Sequence, residues 1–202
     1  MKAMVFDFGN VLYEVNYTVL ARAVAFERAS EFLGAFVGSP IQAAYETGRA
    51  TLDGVLNELR RKGFPVTRER FLEGYLAVFS PVPGAREIAE CLAKFRPLGL
   101  LSNTSPEHAR LFIEKTPEIR LFDQRVYSFE VGSMKPDHRI YREMARKLGL
   151  SPEEIGYTDD VEEYVRAARD VGMSGVAFRG AESLRSELLG MGFSELAGLT
   201  FR

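Results

Sequence analysis

Short apolar runs that stop abruptly on polar residues recur along this 202-residue chain, and they limit its fold more than any other feature. Ala3-Met4-Val5-Phe6 stops at Asp7. Leu98-Gly99-Leu100-Leu101 stops at Ser102-Asn103-Thr104, and Ile155-Gly156-Tyr157-Thr158 at Asp159-Asp160. A strand with one solvated face alternates apolar and polar residues, so a run without alternation suits a strand covered on both faces of a parallel sheet. Val126-Tyr127-Ser128 and residues 174–178 give two further expected strands. Helical periodicity falls between them, in residues 85–94, 106–114, 136–148, 161–171 and 182–189. Strands alternating with helices predict an α/β fold with a doubly wound parallel sheet.

Residues 17–80 read differently. Helical spacing recurs in 17–36, 41–45, 52–61 and 68–79, and no strand is expected there. Gly38-Ser39-Pro40, Gly48 and Gly63-Phe64-Pro65 break the pattern, and Ser80-Pro81-Val82-Pro83-Gly84 closes it. The economical division is an α/β core of residues 1–14 and 83–202, interrupted by an all-helical cap over 15–82. Phe26, Phe32 and Phe36 are expected in the core of that cap. Lys plus Arg number 26 against 28 Asp plus Glu, a net charge of −2. So balanced a chain has no bulk electrostatic reason to bind nucleic acid or anionic lipid. No apolar stretch approaches the roughly 20 residues that span a bilayer. Asp7 arrives too early for a signal peptide, and the single cysteine, Cys91, fits a reducing compartment; a cytoplasmic location is expected.

In open α/β sheets, ligands bind outside the carboxyl ends of the strands. Asp7, Ser102, Asn103, Asp159 and Asp160 all fall there, with Lys135 in the loop Gly132-Ser133-Met134-Lys135-Pro136-Asp137. Singly, each is an ordinary turn former, helix cap or solvated lysine. Together, three carboxylates repel one another and call for a cation, and hard oxygen ligands suit Mg²⁺. Lys135 and the amides near Asn103 suit a phosphate, and a carboxylate can attack phosphorus to form an aspartyl-phosphate. Within the cap, Tyr45-Glu46-Thr47-Gly48-Arg49 is the loop expected to face the site, with Glu46 toward the substrate. Neither His108 nor His138 is expected to be catalytic.

Four blocks then stand in order: Val5-Phe6-Asp7-Phe8-Gly9-Asn10-Val11-Leu12, Leu100-Leu101-Ser102-Asn103-Thr104, Met134-Lys135-Pro136 and Tyr157-Thr158-Asp159-Asp160. In these the chain resembles the haloacid dehalogenase superfamily over essentially its whole length. It looks most like the sugar-phosphate phosphatases with an Asp-x-Gly-Asn-Val opening, which include a glucose-1-phosphate phosphatase. The resemblance implies that Asp7 is the nucleophile and a metal ligand, and that the Gly9 carbonyl and Asp159 also bind Mg²⁺. Asp160, or Glu163 one turn on, would complete the metal shell at second hand. Gly9, Asn10, Ser102, Asn103, Lys135 and Glu46 would surround the phosphate and substrate, with Lys135 neutralising the anion. The implied activity is a Mg²⁺-dependent phosphomonoesterase acting on a small phosphorylated metabolite such as a sugar phosphate, as a monomer or homodimer. Alternatives are a 2-haloacid dehalogenase-type hydrolase and a non-catalytic binding protein of the same fold. Most phosphatases of this kind carry an acid two residues after the nucleophile, where this chain has Gly9. A leaving-group proton would then come from water, from a neighbour such as Asn10 or Tyr13, or not be needed.

Overall fold

In the computed structural model, which describes residues 1–201, the chain runs through β1 (Ala3–Phe6), β2 (Tyr13–Val15), α1 (Tyr17–Ala25), α2 (Ala29–Phe36), α3 (Pro40–Glu46), α4 (Leu52–Arg61), α5 (Arg68–Leu76) and β3 (Phe79–Pro81). It continues through α6 (Ala85–Leu92), β4 (Leu98–Ser102), α7 (Pro106–Leu111), β5 (Gln124–Tyr127), α8 (Ser128–Val131) and α9 (His138–Leu148). It ends with β6 (Ile155–Asp159), α10 (Glu162–Asp170), β7 (Ser174–Ala177) and α11 (Ala181–Gly190). Five strands form one parallel sheet in the order β5-β4-β1-β6-β7. The chain winds outward from β1 to β4 and β5, then returns and winds the other way through β6 and β7. The reversal leaves a crevice at the carboxyl ends of β4, β1 and β6, the three strands that carry the polar stops.

Both faces of the sheet are covered, as the unalternating runs require. Met4 and Phe6 pack on one side with Leu100, Ile88, Leu92 and Leu188. Val5, pointing the opposite way, packs with Leu101, Val126, Ile140, Met144 and Tyr157. A third apolar cluster, with Leu20, Val24, Phe32, Phe36, Leu59 and Phe71, is built mainly by the helices between β2 and β3. Local signals start these helices: the Asn16, Ser39, Thr51 and Thr67 side chains accept from the backbone N–H groups of Thr18, Gln42, Gly54 and Arg70.

Five expectations are corrected. Tyr13–Val15 and Phe79–Pro81 pair as a short antiparallel ladder, so a strand closes the segment expected to be helical to residue 79. The expected helix over 17–36 is two helices, broken by a 3-10 turn at Phe26–Arg28. There Arg28 bonds the Gly63 carbonyl (3.0 Å) and lies 4.7 Å over the Phe64 ring, contacts that arise only when the helices pack. The turn also throws Phe26 outward, 79% exposed rather than in the cap core. Ser128 begins a one-turn helix instead of ending a strand, and α9 begins at His138, after a turn over 134–137 that carries Lys135.

Candidate active site

Sheet register brings the carboxylates together. Phe6 pairs with Thr158, so the next residues, Asp7 and Asp159, emerge level at neighbouring strand ends. The Asp7 N–H donates to the Thr158 carbonyl at 3.0 Å. Lys135 reaches between them from the loop before α9. Its ammonium lies 2.8 Å from Asp7 Oδ1 and 2.5 Å from Asp159 Oδ2, and is 1% exposed. Asn103 fixes the base of that lysine from both sides: its Nδ2 donates to the Lys135 carbonyl (3.1 Å), and its Oδ1 accepts from the Lys135 N–H (2.8 Å). The Tyr164 ring lies 5.2 Å from the ammonium, and the Tyr157 hydroxyl donates to Asp159 Oδ2. The aromatic Tyr164 thus walls in the cation.

Asp160 completes the group. Carboxylate oxygens of Asp7, Asp159 and Asp160 lie within 4.8 Å of one another. Glu163, the alternative to Asp160, is exposed and outside this set. Burial pushes the Asp7 carboxyl up; Lys135 pulls it down and the Asp159 charge pushes it up again. Burial and Asp159 likewise raise Asp160. Burial opposes the charge on Lys135, but its two carboxylates prevail and hold it above its ordinary range. Three carboxylates around one ammonium leave two negative charges uncompensated when all are ionised. Oxygen donors with such an excess fit a hard divalent cation.

Gly9, Ser102, Asn103 and Thr104 line a cavity of about 40 Å³ beside this group, together with Tyr17 of α1 and His108 of α7. At about 10–15 Å³ for one water molecule, that is room for only a few waters. A metabolite cannot enter this space while the cap lies as it does. Asn10 does not face it as expected. Its Nδ2 donates to Asp160 Oδ2 (3.1 Å), its Oδ1 accepts from the Val15 N–H (3.0 Å), and its backbone occupies the left-handed region at φ 54°. Asn tolerates that region because its short polar side chain can bond locally. Asn10 therefore joins Asp160 to the base of the cap. Tyr13 also turns away: its hydroxyl donates to Glu118 Oε2 at 3.0 Å, and burial with this carboxylate pushes its pKa to about 12.

The expected cap loop does reach the core. Ser128 Oγ donates to the Glu46 carbonyl (2.5 Å) and accepts from the Thr104 N–H (2.9 Å), so one hydroxyl joins the cap to the loop after β4. Gly48 has φ 71°, and a Cβ there would stand 2.6 Å from the Phe129 carbonyl oxygen; only glycine lets the two backbones approach so closely. Tyr45 bonds Glu107, and Tyr75 bonds Ser105 at 3.1 Å. His108 stacks on Tyr75 at 3.5 Å, and its Nε2 lies 2.7 Å from the Tyr75 carbonyl. Burial lowers its pKa to about 3, so it stands neutral between cap and core.

Glu46 is buried with Gln42 and half-buried Tyr17. Gln42 Nε2 donates to Glu46 Oε1 (2.8 Å) and to the Tyr17 hydroxyl (3.2 Å). Gln42 stands one turn before Glu46 on α3, the spacing at which helical side chains meet; that is the one sequence signal for it. Tyr17, Gln42, Tyr75, Ser128 and Tyr157 were not among the expected site residues.

The family of haloacid dehalogenase-like hydrolases matches residues 1–172. A phosphatase of Mycobacterium tuberculosis is 26% identical over 193 residues, covering 86% of this chain and 85% of its own. Drimenol cyclase of Aspergillus calidoustus is 26% identical over 199 residues, or 93% of this chain, which spans 36% of the cyclase's length. Among solved structures, a HAD family enzyme of Bacteroides thetaiotaomicron, in complex with magnesium and inorganic phosphate, superposes with a TM-score of 0.77 at 20% identity, covering 89% of this chain and 95% of that one.

Proposed function

The chain belongs to the haloacid dehalogenase-like hydrolases, and we propose that it is a Mg²⁺-dependent phosphomonoesterase acting on a small phosphorylated metabolite, of the sugar-phosphate kind, in the cytoplasm. The observation that carries this reading is the set of three carboxylates around one buried ammonium, with its excess negative charge. A dehalogenase acting on carbon has no use for that excess; a phosphatase uses it to hold the cation that meets the phosphate. The phosphatase relative and the magnesium–phosphate complex of the structural neighbour support the same choice.

Asp7, the Gly9 carbonyl, Asp159 and Asp160 would hold the metal, which when bound supplies charge neutralisation at the phosphate oxygens. The protein's own groups do the rest. Asp7 attacks phosphorus, the P–O bond to the leaving group breaks, and an aspartyl-phosphate forms that water then hydrolyses. Ser102, beside the cavity, hydrogen-bonds a phosphate oxygen, and Lys135 neutralises another. Asn103 acts through Lys135, whose backbone it fixes. Residues 15–82 serve as the cap: they exclude water when closed and open to admit substrate.

A panel of phosphorylated metabolites, assayed with Mg²⁺ and with a chelator, tests the reading. Hydrolysis of at least one phosphomonoester is expected with Mg²⁺ and none with chelator. Chelator-resistant release of halide from 2-haloacids, with no phosphatase activity, would overturn it.

A further inference from the structure

Expelling an alkoxide from phosphorus requires a proton, and the rim of the core has none to give. Asp7, Asp159 and Asp160 are occupied with the cation in the function proposed above, and Lys135 is held charged between two of them. Tyr13 donates to Glu118, Asn10 has no acidic proton, and His108 stands neutral.

One group on the cap side differs, joined through Gln42 to Tyr17, which lines the cavity. Glu46 lies in the cap, bolted through its own carbonyl and Ser128 Oγ to the Thr104 loop that lines the cavity. Its neighbours decide where it carries a proton. The Gly38 N–H donates to Gln42 Oε1 at 2.7 Å, so the carboxamide cannot be turned round and its NH₂ must face Glu46. Glu46 Oε1 therefore accepts, at 2.8 Å. The acid proton is left on Oε2, since Oε1 is the oxygen that the Gln42 amide engages. The same NH₂ also donates to the Tyr17 hydroxyl at 3.2 Å, and Tyr17 lines the cavity. The carboxyl is thus one amide away from the cavity wall, with its proton on Oε2.

We propose that Glu46 is the proton donor to the leaving group, taking the place of the acid that Gly9 lacks. The inference rests on the phosphomonoesterase reading. As Asp7 Oδ bonds to phosphorus and the ester P–O bond breaks, the departing oxygen takes the proton of Glu46 Oε2 and leaves as an alcohol. The Glu46 carboxylate then takes a proton from the water that attacks the aspartyl-phosphate, returning Asp7 as a carboxylate and releasing inorganic phosphate. Gln42 and Tyr17 are positioning residues. Burial pushes the Glu46 carboxyl up to about 7, against the Gln42 hydrogen bond and the Lys135 charge, so both forms are populated near neutrality. The titratable groups that share its field are Tyr17 of α1, Tyr75 of α5 and Lys135 below, and burial keeps both tyrosines neutral phenols.

Glu46→Gln keeps the shape of the neutral acid and removes its proton. General acid catalysis contributes about 10²–10⁴-fold, and most where the leaving group is poor. In single-turnover reactions at pH 6 with Mg²⁺, the variant should transfer phosphate from phenyl phosphate about 10²-fold more slowly than the wild type, yet stay within about threefold on p-nitrophenyl phosphate. The fall in wild-type phenyl phosphate kcat/KM above about pH 7 should vanish in the variant. Adding Gly9→Asp should restore phenyl phosphate turnover by about tenfold or more. Gly9 does not use the left-handed region, and a Cβ there meets only Val15 Cγ2, at 3.2 Å. Equal losses on both esters, or no loss on phenyl phosphate, would overturn the assignment; so would a second-site gain of equal size on both. A wild-type protein idle on every phosphate ester would overturn the phosphomonoesterase reading itself, a result distinct from an active wild type indifferent to Glu46→Gln.

Discussion

The two walls of the cavity are built on different principles. The core wall is charged, and the backbone register of a parallel sheet places it: Asp7 and Asp159 are level because Phe6 pairs with Thr158. The cap wall is buried and neutral or close to it, and side-chain contacts place it: Gln42 on Glu46 and Tyr17, Ser128 on Glu46, His108 on Tyr75. Charge can be concentrated where a rigid sheet bears the repulsion. Groups that must give up a proton near neutrality sit instead where burial moves their pKa. The core wall is thus the place to lose the covalent step, and the cap wall the place to lose proton donation, docking and pH response.

Asp7→Asn should break the symmetry between the walls most completely. It removes the attacking oxygen while keeping the shape, so turnover should fall by about 10³-fold or more. The urea midpoint should not fall, because the variant also relieves crowding among three carboxylates. Retention of more than about a tenth of wild-type turnover would remove Asp7 from the covalent step.

Ser128→Ala strikes the seam. It strips the Glu46 carbonyl of a donor and leaves the buried Thr104 N–H without its acceptor. An unsatisfied buried group costs about 1–3 kcal/mol, which urea denaturation should register as lost stability. KM should rise with it, since the same hydroxyl orders the loop below the cap. Unchanged stability would mean that cap and core are not joined there.

The smallest effect is one of slope. His108 is neutral when folded, with a pKa near 3 against an ordinary 6.5. Between those values the unfolded chain binds a proton that the folded one refuses. This group's contribution is therefore fully present above about pH 6.5 and is lost as pH falls toward 3. From pH 7 to pH 5 the loss from this residue is about 2 kcal/mol by linkage. In His108→Phe, which keeps the aromatic stack on Tyr75, stability should decline less steeply over that interval. Parallel declines in the two proteins would show that the imidazole ionises freely in the fold.

How far the sequence could be read follows the same division. The strand ends were visible because an apolar run that stops on Asp or Ser-Asn marks its own boundary, and one parallel sheet brings three such ends to a single edge. Lys135 was visible as a lysine in a loop before a helix, although nothing local says that Asn103 fixes its backbone. The β2–β3 ladder was not visible: three residues pairing across the whole cap leave no local pattern. Nor was the break at Phe26–Arg28, which carries no glycine or proline and depends on Arg28 meeting Gly63 and Phe64. Asn10 and Tyr13 stood at the right distance from Asp7 along the chain, but their side chains are engaged elsewhere, and only packing reveals that.

That same short ladder bears on how such a protein could change its diet. Tyr13–Val15 and Phe79–Pro81 hold the two ends of the helical segment side by side, a few residues past Asp7. Whatever is threaded between them starts and finishes at one doorway, and the sheet beneath need not be redrawn to receive it. New selectivity can therefore be written by exchanging the lining while the phosphoryl chemistry stays put. The exchange has one condition: an incoming segment must bring its own backbone carbonyl to Ser128 and its own acid to the place of Glu46.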